Sequence, residues 1–217
     1  MDSNIFDKPP DEQKFVTLTI ESTGKKYYLH QDMLVHYSPY FAAALLGEFK
    51  EGKTKDLTIE DTSKETFGRF TDWLYSHGLQ PPLATSEITE EPDEDDAKLV
   101  DLYVFADRYD VPALRRNVMK ALHARYDSKN CLAGHKAIAQ AFNSLPDTSL
   151  LCKYMIDQYV FCYSFNANVK NYEALPGTFL ARVMFAYGAK LKAVQGNVKY
   201  EKWFEEGSID KYLEEIR

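Results

Sequence analysis

Serine–lysine pairs are the residues of this chain whose types and spacing come closest to catalytic chemistry. Ser22-x-x-Lys25 and Ser208-x-x-Lys211 have the S-x-x-K spacing of some acyl-transfer enzymes, in which the serine is the nucleophile. The first pair falls in a predicted hairpin turn, and neither pair has the companion motifs of those enzymes. The sequence also lacks a glycine-rich phosphate loop and a G-x-S-x-G elbow. We therefore predict a protein without enzymatic activity and without a cofactor.

Histidine and cysteine could supply metal ligands, but their spacing does not favour a metal site. Neither H-E-x-x-H nor C-x-x-C occurs among the residues of these two types, which are His30, His36, His77, His123, His135, Cys131, Cys152 and Cys162. The cysteines lie in helix-like apolar segments, where a free cysteine behaves as a small hydrophobic residue. His30 ends a predicted strand, where ring nitrogens can satisfy neighbouring backbone groups, so we predict a structural role for it.

The composition disfavours several classes of partner. The 217 residues carry a formal net charge of −7, and the adjacent pair Arg115-Arg116 is too short to form the basic stripe typical of nucleic-acid binding. Hydrophobic residues make up 45% of the chain, which is typical of a packed globular protein. No apolar segment has the features of a signal peptide or a membrane span. We expect a cytoplasmic or nuclear protein whose partners are other proteins.

Alternation of apolar and polar residues predicts a small sheet near the amino terminus. Residues 16–20 alternate with period two, the turn sequence Glu21-Ser22-Thr23-Gly24 follows, and residues 26–30 form the predicted returning strand. Residues 55–60 alternate again. The pattern predicts a hairpin and a third strand.

Helix signals dominate the remaining sequence. Ser38 before Pro39 predicts a helix start, and Thr62-x-x-Glu65 has the spacing of a capping box before a run of apolar residues that includes Trp73. Residues 80–96 are rich in proline and acidic side chains, which predicts an exposed loop. Periodicity and caps predict further helices over residues 98–109, 112–122, 128–142, 147–163, 178–190 and 208–216.

The order of these elements, together with several short motifs, resembles the BTB/POZ domain family. The motifs are Leu29-His30, Met33-Leu34, Ser38-Pro39-Tyr40-Phe41, Phe49-x-Glu51, Trp73-Leu74-Tyr75 and Phe105-Ala106-Asp107. Each is weak alone, but their shared order and spacing are far more specific. The residues in and around the last two motifs are most similar to those of fungal members. The resemblance covers residues 15–126.

This resemblance implies an α+β protein with a BTB/POZ fold, a helical core flanked by a small three-stranded sheet. We divide the chain into an amino-terminal tail (1–14), a BTB/POZ domain (15–126) with the acidic loop 80–96, and an all-α carboxy-terminal extension (127–217). The extension resembles the helices that follow the BTB fold in adaptor proteins. No kelch, zinc-finger or MATH-like segment is evident.

The family further implies a non-catalytic protein-interaction module, either an adaptor for a cullin-type ubiquitin ligase or a homo-oligomerising scaffold of a nuclear or transcriptional assembly. In family adaptors, a hydrophobic-x-Glu motif after the Ser-Pro-Tyr-Phe helix contributes to cullin docking, and Phe49-Lys50-Glu51 occupies that place. The resemblance therefore implies Phe49 and Glu51 as partner-binding residues. The alternative is that Phe49 packs into the core while Glu51 is merely solvated. Phe15 stands where many dimeric members have an acidic residue. The resemblance therefore does not imply their strand-swapped dimer for this chain.

Overall fold

The computed structural model describes residues 13–76, 78–79, 92–129, 132–162, 173–194 and 209–213. These residues fall into two compact units. The first contains the described residues up to 79 together with residues 105–115, and the second contains residues 92–104 and the described residues from 116 onward. The predicted domain boundary at residue 126 stays a prediction.

A three-stranded sheet forms one side of the first unit, in the order β2-β1-β3. β1 (Phe15–Ile20) pairs antiparallel with β2 (Lys26–His30) and parallel with β3 (Asp56–Ile59). Leu18, Ile20 and Ile59 are fully buried on the inner face, as period-two alternation predicts. The predicted hairpin and third strand are confirmed.

Three helices connect β2 to β3. They are α1 (Gln31–Tyr37), α2 (Pro39–Leu46) and the short α3 (Lys50–Thr54). The Ser38 hydroxyl accepts a hydrogen bond from the Phe41 N–H at 3.0 Å and donates one to the Tyr109 carbonyl at 2.6 Å. Ser38 therefore caps α2 as predicted and also ties it to the residues that follow the later helix α5 (Pro92–Arg108).

The aromatic core of this unit lies against α4 (Lys64–Ser76). Trp73 is 2% exposed, and its ring contacts those of Tyr37 and Phe70. The helix begins one residue later than the predicted capping box, because the Ser63 hydroxyl, not that of Thr62, accepts the Thr66 N–H. Thr62 instead donates to the Glu60 carbonyl, a contact within the preceding turn.

The second unit consists of helices and corrects the predicted acidic loop. α5 begins at Pro92, so residues 92–96 are helical rather than loop. Asp95 and Asp96 are 5% and 6% exposed, and Arg125 is 1% exposed. The Arg125 Nε atom lies 2.8 Å from Asp96 Oδ1, so a buried ion pair holds the acidic turn in the helix. Residues 80–91 lie outside the described part of the chain.

The boundary between the next two helices differs from the predicted one, and a carboxylate caps the second of them. α6 (Pro112–Lys129) continues past the expected start of the next helix, and α7 (His135–Ser144) begins later than predicted. Asp93 accepts hydrogen bonds from the N–H groups of Lys136 and Ala137, at 3.2 and 3.4 Å, and so caps α7 from another helix. A Cβ atom on Gly134 would lie 2.1 Å from that carboxylate. The helix predicted over 128–142 is therefore confirmed over residues 135–142, and its predicted start is wrong.

The last elements are α8 (Leu150–Cys162), α9 (Gly177–Val194) and a 3₁₀ turn at Asp210–Tyr212. The Tyr212 hydroxyl donates to Asp157 at 2.5 Å, and burial raises the pKa of Tyr212 above its usual range. Of the predicted helix over 208–216, only residues 209–213 are described. No helix in the described ranges has both the length and the apolar content needed to cross a membrane.

Candidate functional site

The predicted partner-binding motif lies on a tightly packed turn between α2 and α3. A Cβ atom added to Gly52 would lie 2.3 Å from the carbonyl oxygen of Gly47 and 3.4 Å from that of Ala44. Only glycine allows the backbone of α3 to approach the end of α2 this closely. The two glycines therefore set the position of the residues between them, Phe49 and Glu51 included.

Phe49 and Glu51 are both accessible on this turn. Phe49 is the N-cap residue of α3 and is 66% exposed, so its ring is not part of the core. Glu51 lies in the first turn of α3 and is partly exposed. The structure thus brings the two predicted site residues together beside one groove.

The groove is open and has a volume of about 830 Å³. One wall consists of α2 and α3, which contribute Ala43, Ala44 and Phe49, and the other follows β3 through Asp56 and Thr58. The remaining lining residues are mostly polar and include Lys26, Tyr40, Lys50, Thr54 and Glu60. The groove thus combines apolar groups from α2 and the α2–α3 turn with polar groups from α3 and β3.

Lys55 fixes the turn between α3 and β3. Its backbone is left-handed, with φ of 58°, which ends α3 and starts the strand. Its ammonium group donates a hydrogen bond to the Leu45 carbonyl at 2.8 Å, near the end of α2. Both groove walls are therefore joined by one side chain.

Tyr109 holds the other end of β3. Its hydroxyl accepts the Glu60 N–H at 3.0 Å and lies 3.3 Å from the Glu60 carbonyl. Burial raises the pKa of Tyr109, so the hydroxyl stays protonated and can donate as well as accept. Periodicity marked Tyr109 only as an apolar helix position, because its polar partner lies 49 residues away.

The residues first considered for catalysis have structural roles where they are described. Ser22 donates a hydrogen bond to the Thr62 carbonyl at 3.3 Å, and the Lys25 ammonium lies over the Tyr27 ring. Ser208 lies outside the described residues. Among the residues that the structure describes, no group of three His, Cys, Asp or Glu side chains could hold a metal ion. Cys152 is buried and its thiol donates to the Ala141 carbonyl at 3.8 Å, whereas the Cys131 and Cys162 side chains lie outside that set.

His30 has the predicted structural role. The Tyr75 hydroxyl lies 2.9 Å from His30 Nδ1 and accepts the His30 backbone N–H at 3.2 Å. The other ring nitrogen lies 3.3 Å from Gln13 Oε1. A hydroxyl that accepts the backbone N–H can donate its proton to Nδ1, which places the ring proton on the nitrogen facing Gln13. The ring thus binds side chains rather than the expected backbone groups.

Comparison with known proteins identifies the fold around this groove. A model of the BTB/POZ domain matches residues 6–126. Kelch-like protein 40 of Xenopus tropicalis is 26% identical over 123 residues, which cover 57% of this chain and 18% of that protein. Kelch-like protein 41 of Homo sapiens has the same identity and coverage. Kelch repeat and BTB domain-containing protein 4 of Pongo abelii is 25% identical over 122 residues, 56% of this chain and 21% of that protein.

The extent of these matches limits what they carry over. This chain spans about a fifth of the length of the curated relatives it matches. The relatives are vertebrate proteins and give the expected fungal resemblance no support. The family model nevertheless matches more than half of the chain, over the segment that contains the sheet, α1 to α4 and the groove. The chain therefore belongs to the BTB/POZ domain family.

Proposed function

We propose that this protein is an adaptor that binds a cullin-type ubiquitin-ligase scaffold through the groove between α2–α3 and β3. The observation that carries the proposal is the 66% exposure of Phe49 on a turn whose backbone is held by close glycine contacts. A large aromatic side chain held in solvent beside a groove is suited to fill a pocket on a partner. Membership of a family with Kelch-like relatives supports the adaptor role.

The physical advantage of this arrangement is preorganisation. Gly47, Gly52 and Lys55 hold α3 before any partner arrives, so binding orders few additional backbone residues. The Glu51 carboxylate adds a charge next to the aromatic anchor, which can select the orientation of the partner. The contact therefore combines an apolar anchor with a charged rim.

The first prediction concerns the two motif residues. The double variant Phe49→Ala/Glu51→Ala should bind at least about 30-fold more weakly to the cullin that the wild-type protein binds, because loss of an interface anchor costs about 2 kcal/mol or more. Binding is measured by biolayer interferometry against a panel of purified cullins.

A matched control shows whether removing any exposed aromatic side chain and carboxylate would weaken binding equally. Tyr28→Ala/Asp72→Ala removes an aromatic side chain of similar exposure, 67%, and an exposed carboxylate, neither of which lines the groove. Its affinity should equal that of the wild-type protein. Equal binding by both double variants would remove the assignment of Phe49 and Glu51.

The second prediction tests the placement of α3 without touching the motif. Gly52→Ala should weaken cullin binding at least tenfold and lower the free energy of unfolding by about 1–3 kcal/mol, because the new Cβ would overlap the Gly47 carbonyl. Affinity and urea denaturation are measured on the same preparation.

Gly68→Ala is the control for this substitution. A Cβ atom on Gly68, in the middle of α4, has nothing within 4 Å, so the change should stabilise the helix by about 0.5–1 kcal/mol and leave binding unaltered. Wild-type affinity in Gly52→Ala would show that the position of α3 does not matter for the contact.

Self-association is a second candidate function, favoured by the outer face of the sheet. Phe15 and Tyr28 are 49% and 67% exposed, and both lie on that face of β1 and β2. Exposed aromatic side chains on one sheet face are suited to contact a second copy. Light scattering across a concentration series separates the candidates, since a monomer at all concentrations contradicts an oligomeric scaffold.

A further inference from the structure

The wall of the groove formed by β3 carries carboxylates at regular spacing. Asp56, Thr58 and Glu60 are exposed, while Leu57 and Ile59 between them are buried. Because side chains alternate across a strand, the two carboxylates lie on the same face, one on either side of Thr58. The acidic groups therefore flank the middle of this wall.

The carboxylates that line the groove differ in their ion pairing from a neighbouring carboxylate. In the part of the chain that the structure describes, Glu51, Asp56 and Glu60 form no ion pair, although all three line the groove. Nearby acidic residues behave differently: Asp61 pairs with Arg108 at 3.0 Å. Asp56 and Glu60 are thus exposed carboxylates beside the groove that form no ion pair with another described residue.

Two lysines also line the groove, and neither belongs to β3. Lys50 is the first residue of α3, and Lys26 lies on β2 opposite Thr19, which in turn lies opposite Thr58. Lys26 is two strands away from Thr58, a separation of about 10 Å at the usual strand spacing. The charged groups that β3 and the residue after it contribute to the groove are therefore both negative, while Ala43, Ala44 and Phe49 contribute apolar groups.

We infer that this groove selects a partner segment in which an apolar side chain is flanked by lysine or arginine. The apolar side chain would pack against Ala43, Ala44 and Phe49, and the basic side chain would reach Asp56 or Glu60. This inference rests on the proposed function, because the segment belongs to the cullin-type partner. It assigns Asp56 and Glu60 as specificity-determining residues in addition to the motif.

Electrostatic and apolar contacts predict different kinetic effects. A rim charge acts mainly on the association rate and is screened by salt, whereas an apolar anchor acts mainly on the dissociation rate. Asp56→Asn/Glu60→Gln should therefore lower the association rate about five- to tenfold at 50 mM salt and less than twofold at 500 mM salt. Phe49→Ala should accelerate dissociation at both salt concentrations.

The experiment measures association and dissociation of the full chain on the purified cullin that binds it best. Lys50→Gln tests the sign of the charge effect, since removal of a positive charge from the same groove should leave association unchanged or accelerate it. Glu65→Gln/Asp72→Asn, two exposed carboxylates on α4, controls for net charge and should have less than a twofold effect. Denaturation midpoints equal to wild type confirm that each variant is folded.

Each result has a distinct meaning. Slower, salt-dependent association in Asp56→Asn/Glu60→Gln alone supports the inference. Unchanged association in that variant, together with Phe49-dependent binding, overturns the inference and leaves the proposed function intact. Slower association in Lys50→Gln would mean that the partner segment is acidic and also overturns it. Absence of binding by the wild-type protein to every cullin overturns both.

Discussion

Replacing Arg125 with methionine should lower the free energy of unfolding by about 3–5 kcal/mol. Arg125 is 1% exposed, and its guanidinium contacts Asp96 at 2.8 Å and Asp95 at 3.9 Å. Its removal leaves the Asp96 carboxylate buried without its compensating charge, which is far more costly than the absence of the whole pair. Urea denaturation monitored by circular dichroism measures the change.

Two further variants show whether the uncompensated charge is the cause. Arg125→Met/Asp96→Leu removes both charges of the 2.8 Å pair, while Asp95 keeps its contact with Lys98 at 2.9 Å. This variant should recover most of the lost stability, because a buried pair contributes little net free energy relative to apolar side chains. Lys136→Met, which breaks an exposed ion pair with Glu94, should change stability by less than about 1 kcal/mol. No recovery in the double variant would indicate that Arg125 stabilises the protein through packing instead.

Trp73→Ala should have an effect of similar size, about 3–5 kcal/mol, because it leaves a large cavity in the aromatic core of the first unit. Trp73 is 2% exposed, and its ring lies 5.2 Å from that of Tyr37 and 6.3 Å from that of Phe70. Among the described residues its indole N–H has no hydrogen-bond partner, so the stabilisation comes from burial alone. Trp73→Phe should therefore be considerably milder.

The same urea titration tests this prediction. Tyr28→Ala, an aromatic truncation on the exposed face of β2, should change stability by less than about 1 kcal/mol. A midpoint for Trp73→Ala that matches the Tyr28→Ala midpoint would contradict the buried position of the indole. Together, the Arg125 and Trp73 variants test the two units separately.

Local sequence signals predicted the elements around the groove well. Ser38 caps α2 because the donor and acceptor lie three residues apart. The capping box was misplaced by one residue because Thr62 and Ser63 both carry hydroxyls, and only the geometry of the turn decides which one meets a free N–H. Spacing alone cannot distinguish adjacent residues of the same chemistry.

The acidic loop shows a different limit. Proline and clustered carboxylates predicted a solvated segment, yet Asp93 caps α7 and Asp96 pairs with buried Arg125. Both contacts join atoms from residues at least 29 positions apart, so no window of sequence contains both partners. Composition therefore identified the acidic residues but not the cation and the N–H groups that they contact in the folded protein.

The sequence by itself determined the strand pattern and the cap of α2, because periodicity and capping depend on residues close together in the chain. The Phe49-x-Glu51 motif came from the resemblance to the BTB/POZ family and stays a predicted partner-binding site. Only the tertiary structure decided that Phe49 is exposed, that Gly52 lies against Gly47, and that the β3 carboxylates face the same groove. Exposure and close approach depend on how helices and strands pack. That packing is a property of the folded chain, not of any short segment.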